Sequence, residues 1–181
     1  MAEFQQKGLY RELPDGSAGL TPGYRGTFQL TPEEPVTTIA IDSLGLRGDE
    51  VGDKRAGERR LLVVGDSLVF GYGVDQAETF SAALQTTVRG TGKVVTVGNA
   101  GVSGFNTFEA AQRIVSLRPT FTPDAILLCV FLGNDALENR NHDVAIVGGS
   151  RFAGPFARLM QRSARHGDVQ LGGDIGDQRG G

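Results

Sequence analysis

The chain has 181 residues, which fits one domain, and its 39% hydrophobic and 22% charged residues are typical of a soluble globular protein. The formal net charge is −3 and no Lys/Arg run occurs, so neither nucleic acid nor an anionic membrane surface is indicated as a partner. No apolar run approaches the ~18 to 20 residues of a membrane span, and no signal peptide begins the sequence, so we expect no membrane segment and a cytoplasmic location by default.

The first 60 residues are poor in regular patterns. Residues 1–35 contain four prolines and five glycines without hydrophobic periodicity, which predicts an irregular N-terminal arm. Residues 36–41 are rich in β-branched side chains and predict a peripheral strand. A turn at 42–48 and a polar, charged connection at 49–60 follow this strand.

The middle of the chain alternates short apolar runs with helical patterns. Four aliphatic residues at 61–64 predict a strand that is buried on both faces of a parallel sheet. Asp66 and Ser67 then favour a strand-to-helix turn. The elements that follow are a helix at 78–88, a strand at 94–97, a helix at 107–117 closed by Pro119, and a strand at 125–131.

This order of strands and helices is the signature of right-handed βαβ units. It predicts a three-layer α/β/α, flavodoxin-like domain with a parallel sheet over residues 36–165. The run at 125–131 is the longest apolar run and is expected to be a central strand, in which Cys129 is a buried, unreactive thiol. The later elements are weaker: a strand at 143–147, a helix at 151–165 and a disordered tail at 166–181.

Three polar or glycine-rich turns follow the three predicted parallel strands, and they carry Ser67, Gly104 and Asn134. All three should converge on the carboxyl edge of the sheet, where open α/β sheets bind ligands. A serine hydroxyl there can attack a carbonyl carbon, and the oxygen that becomes negative needs donors about 3 Å away. The main-chain N–H groups of Ser67 and Gly104 and the amide of Asn134 can supply them. The set indicates an acyl-transfer site, although Ser67 could also do no more than cap a helix.

Residues near these turns have two interpretations that the sequence leaves open. Asp66 can orient its turn or only cap the helix, and Asp135 can act directly in catalysis or cap a helix. Arg47 either fixes its own loop or binds a substrate carboxylate. Phe70 and Tyr72 either line an acyl or sugar pocket or pack the first helix.

Short blocks of the sequence resemble the SGNH hydrolases, also called GDSL-type esterases and lipases. Residues 65–68 (Gly-Asp-Ser-Leu) are similar to the first block of that family, and residues 99–104 (Asn-Ala-Gly-Val-Ser-Gly) to the second. Residues 133–135 (Gly-Asn-Asp) are similar to the third block. The resemblance covers roughly residues 40–140.

A lead-in at 42–48 is also similar to one in some bacterial members, with Asp42 where they usually have Asn. The resemblance implies the SGNH hydrolase fold, with Ser67 as the nucleophile. It also implies that Gly104 and Asn134 complete an oxyanion hole.

The last block of the family, an Asp-x-x-His that supplies the general base, is absent from this sequence. The chain has two histidines: His142 follows the third block closely, and His166 lies in the predicted tail. We expect both to be surface residues without a catalytic task. By this resemblance the domain is expected to be incomplete at its C-terminal end, as in a truncated or frameshifted member of the family.

Three functions stay open. The first is an ester hydrolase with an acyl-serine intermediate, impaired if no base reaches the serine. The second is an O-acyltransferase that uses the same site, and the third is a non-catalytic ligand-binding remnant. The expected partner is a small-molecule ester or an acylated carbohydrate. Since no residues have metal-ligand spacing and no phosphate loop occurs, neither a metal nor another cofactor is predicted.

Overall fold

The computed structural model describes residues 8–13, 18–29, 33 and 35–131, all of which belong to one compact unit. They form a mixed α/β fold with a three-stranded parallel sheet, and two antiparallel strand pairs precede that sheet along the chain. In chain order the elements are β1 (Tyr10–Glu12), β2 (Ala18–Leu20), β3 (Arg25–Phe28), β4 (Thr37–Ala40), β5 (Arg59–Val64), α1 (Ser67–Phe70), a 3-10 turn (Gln76–Glu78), α2 (Phe80–Arg89), β6 (Val95–Asn99), α3 (Thr107–Phe121) and β7 (Ala125–Leu128).

Strand β5 is the centre of the parallel sheet. It pairs in parallel with β6 on one side and with β7 on the other. Leu62, Val63 and Val64 have no solvent exposure. Because burying one such side chain stabilises a fold by about 1.5–3 kcal/mol, this strand contributes much of the core. The strand predicted at 61–64 is confirmed.

Helix α3 covers the face of β5 that carries Leu62 and Val64, and it packs there through Ile114, Leu117 and Phe121. The helix begins at a capping box. The side chain of its N-cap residue accepts hydrogen bonds from two main-chain N–H groups of the first turn. Its start is confirmed, but its end is not.

The helix continues past Pro119, where the sequence predicts that it is already closed. Proline ordinarily ends a helix because it has no N–H to donate. Here the last turn is held from outside: Phe121 is fully buried, and Nη1 of Arg60 donates to the Phe121 carbonyl oxygen at 3.1 Å. Tertiary packing therefore overrides the local signal as far as Thr122, whose left-handed φ of 49° closes the helix.

The N-terminal residues have more regular structure than the irregular arm predicted for 1–35. Strands β1 and β2 form one antiparallel pair, and β3 pairs with β4, which confirms the peripheral strand predicted at 36–41. Strands of three or four residues are too short to show a period in the sequence. Their apolar side chains form one buried cluster with α1 and the loop after β6: Leu9, Leu20, Phe28, Ile39, Ile41, Phe70, Val102 and Phe105.

Strand β7 confirms a strand within 125–131, and it is the outer strand of the described part of the sheet. Its central position stays a prediction, because a further strand beside it would come from residues outside the described ranges. Its Ile126 and Leu127 are 43% and 36% exposed. Asp124 sets the register of β7, since its carboxylate accepts hydrogen bonds from Nζ of Lys54 and the main-chain N–H of Arg60, both at 2.7 Å. The contact with Lys54 is the main reason why the pKa of Asp124 is as low as about 2.

Helix α2 and strand β6 confirm the helix predicted at 78–88 and the strand predicted at 94–97. The side chains of α2 cover the outer edge of β6: Oε1 of Gln85 accepts from the N–H of Val97, and Nε of Arg89 donates to the Val95 carbonyl oxygen, each at 2.8 Å. Such contacts satisfy main-chain groups that an edge strand would otherwise leave open.

The strand predicted at 143–147, the helix predicted at 151–165 and the tail predicted at 166–181 lie outside the described residues. The predicted domain bounds therefore stay predictions.

Asp42 organises the loop that leads from β4 toward β5. Its side chain is fully buried, and Oδ1 accepts hydrogen bonds from the N–H groups of Leu44 and Leu46 at 2.9 and 2.7 Å. Oδ2 has no hydrogen-bond partner within the described residues. Burial raises the pKa of this carboxyl group, an effect that the two N–H contacts only partly oppose.

Because the folded chain holds this proton more tightly than the unfolded chain, stability should fall as pH rises from the ordinary aspartate pKa of about 3.9 through the raised value. Asp42→Asn keeps an acceptor for both N–H groups and removes the ionisable group. We expect the melting temperature of Asp42→Asn minus that of the wild type to be larger at pH 7 than at pH 4. Thermal unfolding at both pH values checks this, with exposed Asp49→Asn as the control. An equal difference at the two pH values would contradict it.

Candidate active site

The turn that carries Ser67 is closely packed at the carboxyl edge of the sheet. It begins at Gly65, where an added Cβ would lie 2.6 Å from Cγ2 of Val69 and 3.0 Å from the main-chain oxygen of Cys129. The N–H of Cys129 donates to the Val64 carbonyl oxygen at 2.8 Å, so β7 continues alongside this turn. Only glycine fits between the end of β5, helix α1 and β7.

Helix α1 is a single turn that starts at Ser67. Asp66 is its N-cap residue, and its Oδ1 accepts from the N–H of Leu68 at 2.9 Å, which confirms a capping role. At the other end Gly71 adopts a left-handed φ of 87° and donates its N–H to the Ser67 carbonyl oxygen. Ser67 is half-buried, and within the described residues its hydroxyl has no hydrogen-bond partner.

The loop after β6 packs directly on α1. The side chain of Asn99 donates to the Val69 carbonyl oxygen at 2.9 Å and accepts from the N–H of Gly101 at 3.1 Å. A Cβ on Gly101 would lie only 2.3 Å from the main-chain nitrogen of Phe70. The two turns after β5 and β6 therefore touch through main-chain atoms, and Asn99 links them.

Gly104 lies near the end of the same loop, where the chain turns toward α3. Its φ is 80°, a conformation that favours glycine. The residue is exposed, and a Cβ built on it would meet nothing within 4 Å. Open space at this position leaves room for a second molecule to approach the main chain.

Of the three residues predicted to form the site, the structure places Ser67 and Gly104 in turns after the neighbouring strands β5 and β6. Asn134 lies outside the described residues, as does Asp135. Both histidines, His142 and His166, lie outside them as well. The predicted roles of all three site residues stay predictions.

Tyr10, from the N-terminal segment, lies at the carboxyl edge of the sheet. No pattern in the sequence marks β1, so this residue could not be predicted to lie there. The hydroxyl of Tyr10 hydrogen-bonds that of Tyr72 and also contacts Ser103, the neighbour of Gly104. Burial, followed by the Tyr72 contact, raises the pKa of Tyr10. The Tyr10 phenol is therefore a neutral hydrogen-bonding group at physiological pH.

The aromatic residues and Arg47 have a packing role. The Tyr72 ring lies 4.9 Å from the ring of Phe70 and 4.8 Å from that of Phe28. Arg47 is 3% exposed, and its guanidinium donates to main-chain carbonyl oxygens, so it fixes loops and is not placed to bind a substrate carboxylate.

Cys129 is only half-buried, whereas the sequence predicts a buried thiol, because β7 is the outer strand of the described sheet. The partial burial still raises the pKa of Cys129, so the group stays a thiol.

In the part of the chain that the structure describes, no three His, Cys, Asp or Glu side chains are grouped so that they could hold a metal ion. Over the same residues, no helix combines the length and apolar character needed to cross a membrane.

The chain is similar to solved structures of an esterase. The crystal structure of AlinE4, an SGNH-hydrolase family esterase, is 36% identical over 50% of this chain and 46% of that chain, with a TM-score of 0.39. Two mutant forms of the same esterase give 37% and 36% identity over 49% of this chain and 46% of theirs, each with a TM-score of 0.39. The chain thus spans less than half the length of these structures. No protein-family model matches it, and no curated protein was found to be similar.

Two glycines of the β6 loop should respond differently to the same substitution. Gly101→Ala forces a Cβ against the main chain of α1, which cannot move without breaking the turn, and we expect a loss of roughly 3 kcal/mol or more. Gly104→Ala meets no atom and carries only the strain of its left-handed φ, about 1–2 kcal/mol. Urea unfolding of the two variants measures the difference, and equal losses would show that the loop does not pack on α1 as described.

Proposed function

We propose that this protein is a serine ester hydrolase of the SGNH type, with Ser67 as its nucleophile. The observation that carries the proposal is the contact between the turns after β5 and β6. That contact holds a serine hydroxyl without a partner among the described residues beside a loop whose Gly104 faces open space. The three sequence blocks that resemble the SGNH hydrolases supply the reaction class.

In the proposed reaction, Oγ of Ser67 attacks the ester carbonyl carbon and its proton passes to a base. The carbonyl oxygen becomes negative and accepts hydrogen bonds from the main-chain N–H groups of Ser67 and Gly104 and from the Asn134 amide. One such donor is typically worth about 3 kcal/mol of transition-state stabilisation. The C–O bond then breaks, the alcohol leaves with a proton, and water releases the acyl group from Ser67 by the same route in reverse.

The sequence has two histidines, His142 and His166, so a histidine base for this reaction would have to be one of them. The proposed fold is the three-layer α/β/α arrangement, of which β5, β6, β7 and the helices between them are the described part. The substrate is a small-molecule ester or an acylated carbohydrate. Transfer of the acyl group to a sugar hydroxyl uses the same acyl-Ser67, so product analysis with and without an added sugar separates hydrolysis from transfer.

The first test is covalent labelling by a fluorophosphonate probe, read by intact mass, together with hydrolysis of short p-nitrophenyl esters. We expect one label per chain and an esterase rate that Ser67→Ala lowers by several orders of magnitude. Ser116→Ala is the matched control, because Ser116 lies on α3 and donates its hydroxyl to the Arg113 carbonyl oxygen. His142→Ala and His166→Ala then identify the base by which of them slows labelling.

Equal labelling of the wild type and Ser67→Ala would contradict the proposed nucleophile. A folded wild-type chain that neither takes the label nor cleaves esters would instead support a non-catalytic, ligand-binding protein.

A further inference from the structure

The most unusual buried group near the candidate site is the guanidinium of Arg47. Its side chain is almost fully buried, and no carboxylate forms an ion pair with it within the described residues. A buried cation without an ion-pair partner is costly, and here the main-chain carbonyl dipoles and the more distant charge of Asp75 compensate. Burial lowers the pKa of Arg47 to about 10, so the group is still charged at neutral pH.

The carbonyl groups that Arg47 binds belong mostly to the end of the Ser67 turn. Nη1 donates to the oxygen of Phe70 at 2.8 Å and also to that of Gly71, while Nη2 donates to the oxygen of Val74 at 2.6 Å. The guanidinium plane also lies 4.8 Å from the centre of the Phe70 ring. The carbonyl groups of Phe70 and Gly71 lie at the C-terminal end of α1, where a helix leaves its last carbonyls without partners.

The main chain of Arg47 is tied to the other turn. Its N–H donates to the Asn99 carbonyl oxygen at 2.9 Å, at the end of β6. The Asn99 side chain donates in turn to the oxygens of Val69 and Phe70. Arg47 and Asn99 together join the last carbonyls of α1 to the strand that carries the Gly104 loop.

A helix of one turn has almost no stability of its own, because nucleation fixes several dihedral angles for a single hydrogen bond. The direction of the Ser67 hydroxyl therefore depends on contacts from outside α1. Asp66 holds the N-terminal end, and the guanidinium holds the C-terminal end.

We propose that Arg47 is a positioning residue, which fixes the one-turn helix that starts at Ser67 relative to the β6 loop that carries Gly104. This inference rests on the proposed function. In the proposed reaction, Arg47 aligns the serine hydroxyl with the oxyanion donors and does not touch the substrate. Lysine cannot replace it, because one ammonium group cannot reproduce two planar Nη donors and a ring contact.

The chain offers a matched control in Arg113. This arginine is also buried, its Nη2 donates to the Gly45 carbonyl oxygen at 2.6 Å, and its pKa is likewise lowered to about 10 by burial. It binds the same lead-in loop from α3, but no contact with α1 is found for it in the described residues. Arg47→Lys and Arg113→Lys thus remove comparable buried interactions at different distances from Ser67.

Two measurements on the full chain compare these variants. Amide hydrogen exchange reports the Ser67 turn directly, and we expect faster exchange at Gly71 and Tyr72 in Arg47→Lys but not in Arg113→Lys. The rate of fluorophosphonate labelling should fall about tenfold or more in Arg47→Lys and stay within about twofold in Arg113→Lys, with ester KM unchanged. Unchanged exchange at the turn in Arg47→Lys, or equal effects of the two variants, would overturn the inference.

A second pair of variants serves if Arg47→Lys does not fold. A Cβ on Gly71 would lie 3.1 Å from Cγ2 of Thr79 and 3.2 Å from both Nη1 of Arg47 and Cγ2 of Val74, whereas a Cβ on Gly73 would meet nothing within 4 Å. Both glycines have similar left-handed φ values, 87° and 75°. Gly71→Ala should therefore slow labelling and speed exchange at Tyr72 more than Gly73→Ala does. If the wild type takes no label at Ser67, the proposed function fails, and the exchange data alone decide whether Arg47 holds the turn.

Discussion

The contact between the loop after β6 and helix α1 is the constraint on which the candidate site depends. Gly101 lies so close to the Phe70 main chain that no side chain fits, and Asn99 hydrogen-bonds both sides of this contact. Such a contact fixes the relative positions of two turns more rigidly than contacts between flexible side chains, because main-chain atoms cannot change rotamer. Catalytic geometry needs that rigidity, since small displacements of reacting groups are costly in rate.

Two sets of buried side chains, one polar and one apolar, stabilise this contact. The polar set consists of Arg47 and Asn99, which satisfy the carbonyls at the end of α1. The apolar set joins the N-terminal strands to α1 through side chains such as Leu9 and Phe28. The N-terminal residues are therefore part of the structure that holds the candidate site, and not a separate arm.

The parallel sheet and its turns could be predicted from the sequence because each depends on a local pattern. The aliphatic run of β5 followed by Asp66 and Ser67 is one such pattern, and the helical spacing that predicts α2 is another. The rest depends on contacts between residues far apart in the chain. The last turn of α3 exists because Phe121 is buried against β5 and bound by Arg60, and the role of Tyr10 depends on a hydroxyl contributed by Tyr72. Neither the contact of Arg60 with α3 nor that of Tyr72 with Tyr10 can be predicted from the residues of α3 or β1 alone.

The turn at Gly65 has a consequence for the order in which the chain can fold. Its neighbours come from distant parts of the chain: the N–H of Val102 donates to the Gly65 carbonyl oxygen at 3.1 Å, and the main chain of Cys129 lies against Gly65. Contacts between such distant residues close long loops, which slows folding compared with a fold built from local contacts. During synthesis the serine turn therefore has to wait, with its apolar neighbours uncovered, until β7 has left the ribosome. Binding by a chaperone would matter most for this protein in that interval.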